Sequence, residues 1–254
     1  MTVVDSTRRI SLISLNILLN SLGMRRQRKI FAVGYAKAAT TSLHALFTSL
    51  GLSSYHGVQW RSCDKLWLLK AFDCFSDGIP RDLAKLDKLF PEAKFILQVR
   101  DLDSWVYSRL GHIERHKKKF QNYRTSVDWD TTERAVESWI ENRNRHHLFV
   151  LDYFAQRPSD LLVVNFIRDA TAGTKVANFL GYDGNIDRPV QNVNPEKKTP
   201  ELHVGMLSSC AARMHISESE LKYDVYCPSL LKPGYSPTHV PDTSVSYQEF
   251  TLVQ

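Results

Sequence analysis

At 254 residues, 43% hydrophobic and 24% charged, the chain has the composition of an ordinary globular protein and can bury a core without disulfide or metal staples. Its formal charge of +6 suits an anionic ligand and is too small to single out nucleic acid as a partner. Cys63, Cys74, Cys210 and Cys227 are widely spaced and form no Cys-x-x-Cys pair or Cys/His ligand set, which argues against a metal site and points to a reducing, cytoplasmic setting.

The N-terminal segment, residues 1–28, opens with Arg8-Arg9 before an apolar run from Ile10 to Leu22. Ser11, Ser14, Asn16, Asn20 and Ser21 interrupt the run, no small-residue cleavage site follows, and it falls short of the ~20 residues that span a bilayer. Leu12, Leu15, Leu19 and Leu22 recur at helical spacing, so the segment reads as an amphipathic helix packed on the protein or on a partner. Its basic flanks leave membrane-surface contact as the lesser reading.

Lys29 to Val33 reads as a short buried strand stopped by Gly34. A helix is predicted from Thr40-Thr41-Ser42, with Leu43, Leu46, Phe47 and Leu50 on one face and Gly51 at its end. Ser53 to His56 reads as a second strand, and Leu83 to Phe90 as a helix closed by Pro91. Lys94 to Val99 is a continuous apolar run of the kind buried on both faces of a parallel sheet. From Asp103 the pattern is helical, then residues 112–130 turn polar and basic and read as an exposed loop. Asp130 to Glu133 resembles a capping box opening a long helix to Phe154. Leu161 to Phe166 is a further strand, and Thr174 to Leu180 a helix ended by Gly181. This alternation predicts a three-layer α/β fold, a P-loop-type parallel sheet flanked by helices, over a core of residues 29–200. Residues 201–254 contain Pro228, Pro233, Pro237 and Pro241, and are expected to form an irregular extension wrapped on the core or a partner. A homodimer is compatible with this organisation.

The strongest local signal is the junction Gly34-Tyr35-Ala36-Lys37-Ala38-Ala39-Thr40-Thr41-Ser42. A turn from strand into helix aims backbone N–H groups and the positive helix end at one point, a ready site for an anion. Lys37 adds a mobile charge, and the three hydroxyls add neutral donors. The nucleotide P-loop Gly-x-x-x-x-Gly-Lys-Ser/Thr is absent, which counts against a nucleotide phosphotransferase. Helix capping alone also selects hydroxyls here.

At these residues the chain resembles the sulfotransferase superfamily that uses 3′-phosphoadenosine 5′-phosphosulfate. Its 5′-phosphosulfate loop reads Gly-x-x-Lys-x-Gly-Thr-Thr-x-Leu, and Gly34, Lys37, Thr40, Thr41 and Leu43 stand in register with it. Ala39 replaces the loop's second glycine, which is harmless at negative φ and strained at positive φ. The superfamily's 3′-phosphate site pairs a strand-end Arg with a Ser eight residues later, and Arg100 and Ser108 match it. A planar guanidinium clamps phosphate, and a hydroxyl on the next helix donates to it. Lys197 and Lys198 sit where related enzymes fold a basic segment over the nucleotide, although solvated surface lysines read equally well.

The resemblance implies sulfuryl transfer from that donor to a hydroxyl or amine of a small molecule, lipid or saccharide, without metal. Lys37 and the Thr40/Thr41 donors would meet charge on the leaving phosphate oxygen. A general base is also needed. His56, Asp73 and Asp77 occupy regions where relatives keep one, and imidazole needs the least pKa tuning. Tyr55, Trp60, Trp67 and Phe72 could line an acceptor pocket or belong to the core. A nucleotide-binding scaffold of degenerate fold is the alternative from a non-enzymatic class.

Overall fold

The computed structural model describes residues 14–24, 28–119, 129–191 and 199–235; Lys197 and Lys198 lie outside the described residues. Residue contacts fall into two units, Met1–Gln98 with Arg157–Asn192, and Val99–Gln156 with Val193–Gln254.

The first unit holds a five-stranded sheet in the order β2-β3-β1-β4-β5, every neighbouring pair parallel. The strands are β1 (Ile30–Ala32), β2 (Ser54–His56), β3 (Cys74–Ser76), β4 (Lys94–Gln98) and β5 (Leu161–Val164). Around them run α1 (helical over 14–21), α2 (Thr40–Ser49), α3 (Leu66–Ala71) and α4 (Leu83–Leu89). Later in the chain come α5 (Leu102–Lys119), α6 (Glu133–Phe154), α7 (Ala172–Phe179) and α8 (Glu201–Arg213), of which α7 belongs to this unit.

Side chains alternate across the central strands, so each face acquires its own packing. Phe31 on β1 lies in register with Phe75 on β3 and Phe95 on β4. Their rings stack on it with centroids at 5.2 and 5.7 Å, and Trp60 joins at 5.9 Å. Ile30, Ala32, Cys74 and Ile96 belong instead to the cluster that takes Leu43, Leu46 and Phe47 of α2 and Ala172 and Val176 of α7. Each buried Leu, Ile, Val or Phe among them contributes about 1.5–3 kcal/mol. The short strands are therefore held by both faces at once.

Helix α1 is fastened by polar contacts. Fully buried Asp73 accepts from the Ser53 amide at 2.9 Å, the Ser53 hydroxyl at 2.7 Å and Asn20 Nδ2 at 2.8 Å. Asn16 donates to Gly51 O at 3.2 Å. The leucine face expected to pack is thus turned outward at Leu15 and Leu22, which are exposed, while Asn16 and Asn20 are buried. Buried carbonyls and a carboxylate demand donors, and the asparagines supply them.

The second unit contains α5, α6 and α8, with α8 packed on both of the others. Arg109 lies over the rings of Trp105 and Trp139, 5.6 and 4.2 Å from their centroids. Helix α5 continues through His116–Lys119, where a loop was expected. Buried Trp105, Val106, Leu110 and Ile113 keep helical spacing, and the basic last turn suits the negative end of the helix dipole. Thr132, not Asp130, caps α6, accepting from Ala135 N at 3.3 Å, while Asp130 holds the Thr131 amide at 2.7 Å. Glu201–Arg213 form a helix where an irregular extension was expected. In α8, His203, Leu207, Cys210 and Ala211 are buried at helical spacing.

Arg143 on α6 is 1% exposed and donates through Nη2 to Arg100 O at 2.9 Å, Tyr223 O at 3.3 Å and Asp224 O. It ties Arg100 to the irregular stretch beyond α8. Arg143→Met keeps the aliphatic volume and removes the charged donor, so urea denaturation should show a loss of about 3 kcal/mol. An unchanged midpoint would mean that those carbonyls find other donors at no cost.

Candidate functional site

The site is built where β1 hands the chain to α2. Gly34 follows the strand, and its amide donates to Gln98 Oε1 of β4 at 3.0 Å. A β-carbon at Gly34 would lie 2.1 Å from Gln98 O, so no other residue fits without separating β1 from β4. Beyond Gly34, Lys37 has φ 72° and Ala39 φ 65°, both in the left-handed region. These two residues turn the chain so that α2 starts at Thr40. Leu43 N closes the first helical turn on Ala39 O at 3.0 Å, so the amides of Thr40, Thr41 and Ser42 precede the helical ladder.

The loop's side chains divide their work. Ser42 is buried and its hydroxyl accepts from Gln191 N at 3.1 Å, which anchors the helix start. Thr41 Oγ1 lies 3.4 Å from Nε2 of His56, the last residue of β2. His56 pairs in register with Ser76 at the end of β3, and its Nδ1 lies 2.9 Å from Ser76 Oγ. With Nδ1–H donating to Ser76, Nε2 carries its lone pair toward the threonine. The His44 ring of α2 stacks on His56 at 5.4 Å, and its own Nδ1 lies 2.8 Å from Ser54 Oγ.

Burial lowers the pKa of His56 below the ordinary imidazole value of 6.5; Asp77 opposes the shift and Lys37 adds to it. His56 thus feels the charge of both Asp77 and the loop lysine. Asp77 follows β3 with φ 85°, and Gly78 continues at φ 101°. Asp73 stands apart from this chemistry, because its carboxylate is committed to Ser53 and Asn20.

The aromatic residues separate as well. Trp60 is fully buried, and its Nε1 donates to Ser76 O at 2.9 Å, so it supports the sheet instead of lining a pocket. Trp67 is 69% exposed. Tyr55 donates to Gln59 Oε1 at 2.5 Å and packs its ring on Phe72 at 5.2 Å.

In the second unit, Arg100 Nε donates to Ser104 Oγ at 2.7 Å. Ser104 escaped the sequence reading, although it lies one helical turn from both Arg100 and Ser108. It orients the guanidinium from the first turn of α5, and Ser108 occupies the next turn of the same helix. Among the described residues no group of three or more side chains could hold a metal ion, and no helix is long and apolar enough to cross a membrane.

The positive φ of Ala39 is the strained alternative for the substituted glycine. A left-handed non-glycine residue costs roughly 1–2 kcal/mol, against up to about 1 kcal/mol for glycine's greater unfolded-state freedom. Ala39→Gly should therefore raise thermal stability or leave it unchanged, as scanning calorimetry would show. A clear loss would mean that the alanine methyl makes packing contacts worth more than the strain.

Residues 67–157 match the family model described as the sulfotransferase domain. No curated protein matches the chain. Among solved structures, a sulfotransferase from Alicyclobacillus acidocaldarius is similar at 16% identity and a TM-score of 0.44, covering 78% of this chain and all of that one. The family match includes Asp77, Arg100, Ser104 and Ser108, and begins after the Lys37 loop and His56. Over residues 67–157 the chain is thus similar to a sulfotransferase domain.

Proposed function

We propose that the protein transfers a sulfuryl group from 3′-phosphoadenosine 5′-phosphosulfate to a hydroxyl or amine of a small-molecule, lipid or saccharide acceptor. The observation that carries this reading is the meeting of Lys37, Thr41 and His56 at the ends of β1 and β2, beside the opening turn of α2. An anion-accepting loop and a neutral base stand within one hydrogen-bond network, which is what in-line transfer to a protonated nucleophile requires.

In this reading the loop from Gly34 to Ser42 takes the 5′-phosphosulfate. Arg100 and Ser108 take the 3′-phosphate, with Lys197 and Lys198 assigned there by the resemblance alone. As the acceptor oxygen or nitrogen bonds to sulfur, the sulfur–oxygen bond to the 5′-phosphate breaks, and adenosine 3′,5′-bisphosphate leaves. Lys37 and the threonine hydroxyls meet the charge that grows on the leaving oxygen. His56 Nε2 takes the acceptor's proton, and Asp77 offsets the imidazolium that results. Lys37, by lowering the pKa of His56, keeps the imidazole ready to accept.

Calorimetry should show adenosine 3′,5′-bisphosphate binding far more tightly than ATP, with no need for Mg. Arg100→Ala should weaken the bisphosphate by about 2–5 kcal/mol and leave adenosine 5′-phosphate almost unaffected. Lys37→Ala should lower turnover about 10²–10³-fold, and more than it lowers bisphosphate affinity. Equal or preferred ATP binding would overturn the two-phosphate assignment. Tight bisphosphate binding without transfer to any of a panel of hydroxylated metabolites, lipids and saccharides would favour a nucleotide-binding scaffold.

The base is tested by pH. Because the pKa of His56 lies below the ordinary value, the neutral form prevails at pH 7, and turnover should fall only as pH drops through a point below 6.5. His56→Ala should lose about 10²–10⁴-fold in turnover together with that acid limb. Asp77→Asn should lower turnover far less than His56→Ala does and move the limb to still lower pH, since it removes a charge that favours imidazolium. Loss of the limb in Asp77→Asn but not in His56→Ala would reverse the assignment.

A further inference from the structure

Gln98 ends β4 and is fully buried. Its orientation is forced. The Gly34 amide can only donate, so the oxygen of the Gln98 amide must face it, as the 3.0 Å contact records. That choice sends the NH₂ group the other way. Among the described residues Nε2 has no hydrogen-bond partner, and it is buried. A buried donor in that state is destabilising, and flipping the amide would only exchange one fault for a worse one, with NH₂ against N–H.

The location gives the cost a reason. In the order β2-β3-β1-β4-β5, the strand that follows β1 in the chain lies to one side of it and the strand that follows β4 lies to the other. Ligands of parallel α/β sheets bind outside the carboxyl ends of the strands at this point of divergence. Gln98 stands there, its amide against the first residue of the phosphate loop. The loop and the opening turn of α2 supply further donors and Lys37 a positive charge, so an oxyanion arriving there brings the acceptor that Nε2 lacks.

We propose that Gln98 is an anion-binding residue of the loop: Oε1 holds Gly34 in place, and Nε2 donates to an oxygen of the bound phosphosulfate or phosphate. This rests on the loop being the 5′-phosphosulfate site. It adds a residue from β4 to a set otherwise drawn from the β1–α2 junction.

Two variants separate the roles. Gln98→Glu keeps an acceptor for Gly34 and loses the donor, while Gln98→Met loses both at similar volume. The Gln98 side-chain NH₂ resonances are identified in ¹⁵N spectra by their absence in Gln98→Met. Adding inorganic sulfate, and separately adenosine 3′,5′-bisphosphate, to the wild-type protein should shift them downfield. By calorimetry Gln98→Glu should bind the bisphosphate at least tenfold more weakly at pH 8. It should recover part of that loss at pH 5.5, where a buried carboxyl takes a proton and becomes a donor again.

Resonances unmoved by either anion would overturn the proposal, as would bisphosphate affinity in Gln98→Glu equal to wild type at pH 8. The anion arm does not depend on sulfuryl transfer. A shift with sulfate in a protein that binds no bisphosphate would leave Gln98 as an anion ligand and remove the nucleotide reading.

Discussion

The carboxyl end of the sheet depends on how closely β1 and β4 approach at Gly34. There the strand ends against the Gln98 carbonyl with room for a hydrogen atom and nothing larger. The contact fixes where the chain can turn, and hence where the loop's donors converge. It also sets Gly34 apart from Ala39 later in the loop. The first position is limited by space and the second by backbone torsion. Space next to a main-chain carbonyl cannot be negotiated, whereas a torsional strain of a kcal/mol or so can be carried.

That strain is not scattered. Lys37, Ala39 and Asp77 are three of the five described non-glycine residues with positive φ, and all three lie in the loop or beside His56. Surrounding structure must hold such residues in place, and the Ser42–Gln191 bond and the buried leucines of α2 do so for the loop. The site is thus supported by elements distant in sequence, β2, β3 and the stretch after α7. This is why order along the chain does not show which residues stand near the loop. His56 and Asp77 are 21 positions apart, yet each follows or ends a strand on the same side of β1.

What the sequence revealed depended on length and on which force set the pattern. The runs that became β4 and β5 were legible because strands buried on both faces are apolar throughout. Strand β3, with three residues, is too short to show a period, and its signal lay in the Phe31–Phe75 pairing that sequence does not display. Helix α8 carried a regular pattern at His203, Leu207, Cys210 and Ala211, overshadowed by the prolines that follow it. Helix α1 shows a different dependence. Its leucines fit a packing face, but the neighbouring loop ends and Asp73 required amide donors, so the asparagines turned inward. Lys37, Thr41 and His56 were each identifiable as candidates, while Ser104 and Gln98 were not. Their importance lies in what their side chains meet, Arg100 in one case and Gly34 in the other.

The cysteines carry one more consequence. All four are buried, and burial raises the thiol pKa at Cys63 and, to about 11, at Cys210 and Cys227. Thiolate, the form that reacts with alkylating agents and oxidants, is therefore scarce at neutral pH and shielded where it occurs. Labelling of this protein reports transient opening of the chain rather than surface chemistry. Cys63 and Cys74 belong to the sheet-bearing unit and Cys210 and Cys227 to the helical one, so two thiols report on the opening of each.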